Sequence, residues 1–228
     1  MLNLIAACIA FVGGHFLLSH PLRATLVARI GEKPFLGLYS LISFATLGWM
    51  AEAYRRGPVQ VPWWSVGDAL WIAASAIMLL AAILLAGSFF GNPAVPGKVM
   101  DRVPAPRGVF AITRHPMNWS FALWAVAHML VFPTPAQFVL AGAILVLALG
   151  GSAGQDAKKA ALQPEFWPRW ERVTSFWPFV AVMQGRAQWA AAWPGTTQSL
   201  LGIIIWLGAT WAHGPLAGIA AGIWRWMN

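Results

Sequence analysis

"ITRHPMNWSFALWAVAH", residues 112–128, sets an Arg-His-Pro before a run of tryptophans and aliphatics and closes it with a second histidine. No Asp, Glu, Lys or Arg occurs from Pro116 to His128. The run reads as a membrane helix, with Pro116 as a favoured first helical residue and His115 at the cap before it. The same texture extends over the chain. Of 228 residues, 59% are hydrophobic and 10% charged, against about 25% charged in a soluble domain. The 15 tryptophans and 13 phenylalanines suit membrane interfaces, where an indole has one apolar edge and one wet edge. One cysteine, Cys8, excludes a disulfide framework and a thiolate cluster.

Apolar runs near the ~20 residues that cross a bilayer cover Leu2 to Ser19, Phe35 to Ala53, Val66 to Phe89, Met117 to Phe132, Ala136 to Gly154 and Ser199 to Gly222. Pro133 and Pro135 leave only a few residues between the fourth and fifth, so these form an antiparallel hairpin. The first run has no Lys or Arg before it, which argues against a cleaved leader. The expected fold is all-α: one domain over residues 1–228, a polytopic membrane bundle of about six transmembrane helices.

The net charge of +8 does not form one block, which argues against a nucleic-acid partner, and it sets topology instead. With the N-terminus outside, the inner loops hold Arg23, Arg29, Lys33, Lys98, Arg102, Arg107, Arg114, Lys158, Lys159, Arg169, Arg172 and Arg186. Only Arg55, Arg56 and Arg225 stay outside. Twelve against three puts both termini on the periplasmic face of a bacterial inner membrane and Arg-His-Pro in the cytoplasm. Two inner segments stand out, at about 91–116 and 155–196. The first opens "GNPAVPGKVMDRVPAPRG", residues 91–108, whose four prolines make an extended loop. The second contains "LQPEFWPRWERVTSFWPFVAVMQGRAQW", residues 162–189. Its alternating tryptophans and arginines read as an amphipathic stretch on the cytoplasmic interface, rings down and guanidiniums in water.

Soluble-enzyme templates are absent: no glycine-rich phosphate loop, paired-cysteine site, HExxH or Ser-His-Asp set occurs. Histidine remains: His15, His20, His115, His128 and His213. An ionisable side chain inside a bilayer is costly enough to mark function by default. His20, just after the first helix and before Pro21, reads as an interfacial or capping group. His128 follows His115 by roughly 20 Å along the helix and is turned from it by about 140°, so the two do not form one site. His15, His128 and His213 lie inside helices that, packed at about 8–10 Å, can bring imidazoles to one haem iron or simply hydrogen-bond them within the bundle. Transport gains little support, since Glu52, Asp68 and Asp156 all fall near helix ends. Gly150 and Gly154 form a GxxxG, expected to pack against the fourth helix or a partner chain.

Five blocks then become recognisable in order: "GGHFLLSHPLR" at 13–23, "GEKPFLGLYSLISF" at 31–44, "RGVFAITRHPMNWSFALWAVAHML" at 107–130, "PEFWPRWERVTSFWPFVAVMQGR" at 164–186 and "WAHGPLAG" at 211–218. Together they resemble the NnrU family over nearly the whole chain. The same blocks resemble the plastid 15-cis-zeta-carotene isomerases, which hold haem b between histidines to isomerise a double bond. The resemblance implies a role in nitrite and nitric oxide metabolism, or isomerase-like activity on a hydrophobic small molecule such as a polyene. By position it implies haem b, with His15 and His128 as ligands to its iron; His213 joins them as a candidate from its depth alone. A wider resemblance is to membrane methyltransferases of the isoprenylcysteine carboxyl methyltransferase type. These share Arg-His-Pro at a helix start and an aromatic-rich segment, and bind S-adenosylmethionine with them. Here Arg114, His115 and Pro116 match, with Asn118 in the same turn, as a cytoplasmic cap or ligand site. The match weakens at "QDAKKAALQPEFW", residues 155–167, where those enzymes carry paired acidic residues. A third reading is non-enzymatic: a scaffold assisting a membrane reductase, or a homo-oligomer.

Overall fold

The computed structural model describes residues 1–94 and 102–227. Residues 95–101, which include Lys98 of the expected inner loop, lie outside the described residues. The helices are α1 Leu2–Ser19, α2 Arg23–Ile30, α3 Glu32–Arg55, α4 Asp68–Ser88, α5 Val109–Ile112, α6 Pro116–Val131, α7 Pro135–Leu162, α8 Trp167–Val173, α9 Val180–Met183 and α10 Thr196–Ala217. No strand occurs among the described residues. With no water in a bilayer core, a chain this apolar satisfies its backbone within helices. Helices α1, α3, α4, α7 and α10 are long and apolar enough to cross a membrane. Helix α6 has 16 residues, about 24 Å, and stands between α4 and α7. The long helices and α6 therefore follow the six apolar runs of the sequence.

They pack in the order α3, α1, α7, α6, α4, α10. The long helices and α6 alternate in direction along the chain, so that α1 and α7 are parallel neighbours and the ends of α1, α4 and α7 meet the starts of α3, α6 and α10. That end carries most of the basic residues and is called the basic end; the opposite one is the far end. Close approach explains two contacts in the row. A Cβ on Gly202 would lie 2.7 Å from Ile83 Cα, so α10 touches the backbone of α4. On α7, a Cβ on Gly150 would lie 2.9 Å from Phe16 and one on Gly154 would lie 2.5 Å from His20. Gly150 and Gly154 therefore seat rings from α1 and its cap, rather than packing on α6 as the hairpin suggests.

Helix α7 runs to Leu162, two turns beyond Gly154, because Gln155 to Leu162 are good helix formers and Pro164 follows only after Gln163. Its 28 residues span about 42 Å, more than the ~30 Å of hydrocarbon. The inner segment that follows the membrane helix thus begins at Gln163, not Gln155, and it carries the short helices α8 and α9. Nor do its rings all face lipid. Trp167 and Trp170 are 0% and 2% exposed, while Trp177 is 56% exposed. The two buried indoles pack with Leu84, Phe110, Ile112 and Phe166 in a core at the basic end. Helix α5, wholly buried within the 91–116 stretch, supplies Phe110 and Ile112 to it.

Candidate functional site

At the basic end, Arg114 and His115 precede Pro116, the first residue of α6. Thr113 is 0% exposed and its hydroxyl donates to the Phe176 carbonyl at 2.7 Å. The Arg114 backbone N–H donates to Ser175 O at 2.9 Å, and Trp119 Nε1 donates to Phe176 O at 2.9 Å. The Thr-Ser-Phe stretch is in this way bound to Ile-Thr-Arg-His-Pro. The protruding turns of α7 supply the counter-charge. Arg114 Nε and Nη2 donate to both oxygens of Asp156, at 2.6–3.0 Å. His115 Nε2 lies 2.8 Å from Asp156 Oδ1, which also accepts from Trp167 Nε1 at 3.2 Å. His115 Nδ1 faces Gln155 Oε1 at 3.2 Å, and Glu171 lies 3.6 Å from Arg114. One carboxylate thus gathers the adjacent Arg114 and His115 and the indole of Trp167 from two parts of the chain. Both charged side chains are nearly buried, at 12% and 13% exposure, where a forked guanidinium–carboxylate pair is strong and directional. Arg186 closes the assembly by donating to the carbonyls of Glu171, Arg172 and Thr174 at the end of α8. Asn118 Nδ2 donates to Ser152 Oγ at 2.8 Å, tying α6 to α7.

A different kind of site lies towards the far end, in a cavity of about 220 Å³ between α4, α6 and α10. His128 is in the last turn of α6 and His213 is four residues before the end of α10. Their ring centroids are 6.2 Å apart. His128 Nδ1 lies 2.8 Å from Trp124 O, and His213 Nδ1 lies 2.7 Å from Ala209 O. A carbonyl can only accept, so each Nδ1 donates, and the tautomer this selects in an uncharged ring leaves the lone pair on Nε2. Trp124 stacks on His128 with centroids 4.1 Å apart, and Trp71, Phe132 and Met78 add apolar wall. Trp206 also lines the cavity, and its buried indole N–H has no hydrogen-bond partner among the described residues. A buried donor without an acceptor in the fold is unusual, and this one is placed to meet an acceptor on a ligand in the cavity. Phe121 and Ile205 line the cavity and are themselves exposed, so it opens towards lipid.

His15 does not join this pair. Its helix packs on α3 and α7, with α6 and α7 between it and α4 and α10. It lies about one turn from the basic end of α1, whereas His128 lies at the far end of α6. His15 Nδ1 is 2.7 Å from Phe11 O, and its ring lines a second cavity beside Tyr39. The expectation that His15 and His128 meet at one iron therefore finds no support in their placement; His213 is the partner that helix packing brings to His128. His115 takes the cap position expected of it. Sequence reading missed Asp156, treated only as a residue near a helix end, although an acidic residue in the last two turns of the helix nearest Arg-His-Pro was a usable signal.

A family model described as NnrU protein matches residues 3–221. Searches of curated proteins and of solved structures gave no match. The family match takes in every helix described above, including both histidine sites, and on that extent the chain belongs to the NnrU family.

Proposed function

We propose that this NnrU protein binds haem b through His128 and His213 and serves nitrite and nitric oxide metabolism in a bacterial inner membrane. The observation that carries the reading is the pair of facing imidazoles, 6.2 Å between centroids, with each Nδ1 tied to its own helix. Two metal–imidazole bonds of about 2 Å each, plus the ring radii, add up to roughly this separation. The donor set fits as well: neutral imidazole is a common iron ligand, and the wall around the pair is almost wholly apolar. The enclosed volume of about 220 Å³ is below the roughly 300–1,000 Å³ of most ligand pockets; the opening towards lipid gives a flat macrocycle a way in. Arg225, whose guanidinium lies 4.7 Å from the Trp71 ring centre and 3.5 Å from Asp68, would be a cation available to a haem carboxylate. Bound there, haem would supply a one-electron redox couple.

The S-adenosylmethionine reading draws less support, because Arg114 and His115 already direct their donors to Asp156, Gln155 and Glu171. The basic end is assigned to the cytoplasm and both termini to the periplasm from the asymmetry of the arginines and lysines. The test is an absorption spectrum of the detergent-purified protein, expressed with ample haem. A Soret band is expected, lost or shifted in His128→Ala and in His213→Ala and unchanged in His15→Ala. A colourless parent protein, or a band indifferent to both substitutions, overturns the proposal.

A further inference from the structure

The larger cavity lies elsewhere, between α1, α3, α6 and α7 at the basic end. Its volume is about 620 Å³, within the roughly 300–1,000 Å³ of small-molecule sites. Its wall changes character along its length. Inside it is apolar, lined by Phe11, Leu36, Leu47, Phe121, Ile144 and Leu147. At the mouth it is polar and cationic, with Arg23, Lys158 and Lys159 beside Ser19, His20 and Gln155. Arg23 is paired with Glu32 at 2.8 Å, but among the described residues no carboxylate pairs with Lys158. Burial first, and the Lys158 ammonium second, hold the His20 imidazole below the usual histidine range.

The hollow is built in by small residues. On α7, Gly150 and Gly154 are filled by Phe16 and His20, whereas a Cβ on Gly151 would meet nothing within 4 Å. Ala148, one turn earlier, lines the same space. An apolar channel ending in ammonium and guanidinium groups, at the level of a membrane interface, is complementary to neither a free anion nor a neutral hydrocarbon. The chain of an amphiphile would replace lipid or water along the interior, while its head would meet the Lys158 ammonium, with which no carboxylate pairs among the described residues, and the Arg23 guanidinium beside it.

We propose that this cavity binds an amphiphile with a phosphate head, held by Arg23 and Lys158, and an apolar chain running inward past His15 and Phe121. The proposal does not rest on haem: this cavity shares Phe121 with the other one, but neither His128 nor His213 lines it. It applies equally to a bilayer phospholipid and to a free single-chain lipid phosphate.

The test is equilibrium binding of radiolabelled hexadecyl phosphate and of dipalmitoyl phosphatidic acid to the full chain in non-ionic detergent, with hexadecanol as the uncharged control. At least one phosphate amphiphile should bind saturably at one per chain, and the tighter of the two identifies a one-chain or two-chain source. Lys158→Gln and Arg23→Gln should each weaken it about fivefold, the equivalent of about 1 kcal/mol per interfacial cation. Gly151→Leu, which fills the space, should abolish binding while Gly151→Ala preserves it, each variant being checked for an unchanged thermal midpoint. Failure of both phosphates to saturate, equal binding of hexadecanol, or indifference to both charge substitutions overturns the proposal.

Discussion

His115 and His128 stand at the two ends of one helix and show opposite treatments of an imidazole. At the basic end both ring nitrogens of His115 have partners, Asp156 at 2.8 Å and Gln155 at 3.2 Å, and the ring is 1% exposed. At the far end His128 engages only Nδ1, with its own helix, and turns the remaining ring edge to a cavity that holds a second imidazole. A saturated buried polar group fixes structure; a buried group with an unused lone pair is available to a ligand. Chain proximity and residue type are the same in the two cases. What separates them is whether a neighbouring helix brings a carboxylate or another histidine.

The comparison can be broken by substitution. The largest expected effect is that of Asp156→Ala, which leaves Arg114, His115 and the Trp167 N–H without their shared acceptor. Removing one partner of a buried ion pair costs about 3–5 kcal/mol, and a pronounced fall of the thermal midpoint in detergent is expected. A midpoint within a degree or two of the parent would show that the assembly at the basic end is not structural. His115→Ala comes next: it removes one charge-assisted hydrogen bond, about 1.5–3 kcal/mol, and should lower the midpoint while leaving any Soret band in place. Loss of the band instead would move His115 into the ligand set. Gly154→Ala places a methyl group against His20 and should cost about 1 kcal/mol or more, whereas Gly151→Ala should cost nothing; equal midpoints would contradict the seating of α1 on α7. The smallest effect is that of Trp206→Phe, which deletes the orphan N–H and the part of the indole that carries it, at a half-buried position beside the cavity. The midpoint should fall by less than in Gly154→Ala and the Soret maximum should shift slightly, and a fall as large as that of His115→Ala would mean that the N–H has a partner within the fold.

The bundle was legible because hydrophobic length is a local property. Leu2 to Ser19 reads as a helix from its own residues, and α1 has those bounds. Pro116 likewise marks a helix start by local chemistry and is the first residue of α6, while Pro135, read from the sequence as a turn residue, opens α7 one residue earlier than the apolar run. Hydropathy falls at Gln155-Asp156 while helix propensity does not, so the apolar run ended too early and hid the turns that carry Asp156 to Arg114. Trp167 and Trp177 are the same residue type in the same motif, yet one is in the core and the other exposed. Only the docking of residues 174–176 on residues 113–119 decides which. The choice of His213 over His15 as the partner of His128 is of the same kind. It follows from the order of helices in the row, which no spacing along the chain encodes.

The central claim is that His128 and His213 share one iron, and electron paramagnetic resonance of the ferric haem-loaded protein tests it most directly. The account predicts a low-spin, six-coordinate signal of two imidazoles in the parent and in His15→Ala, converted to high spin or lost in His213→Ala and in His128→Ala. A low-spin signal that survives His213→Ala but disappears in His15→Ala would contradict it.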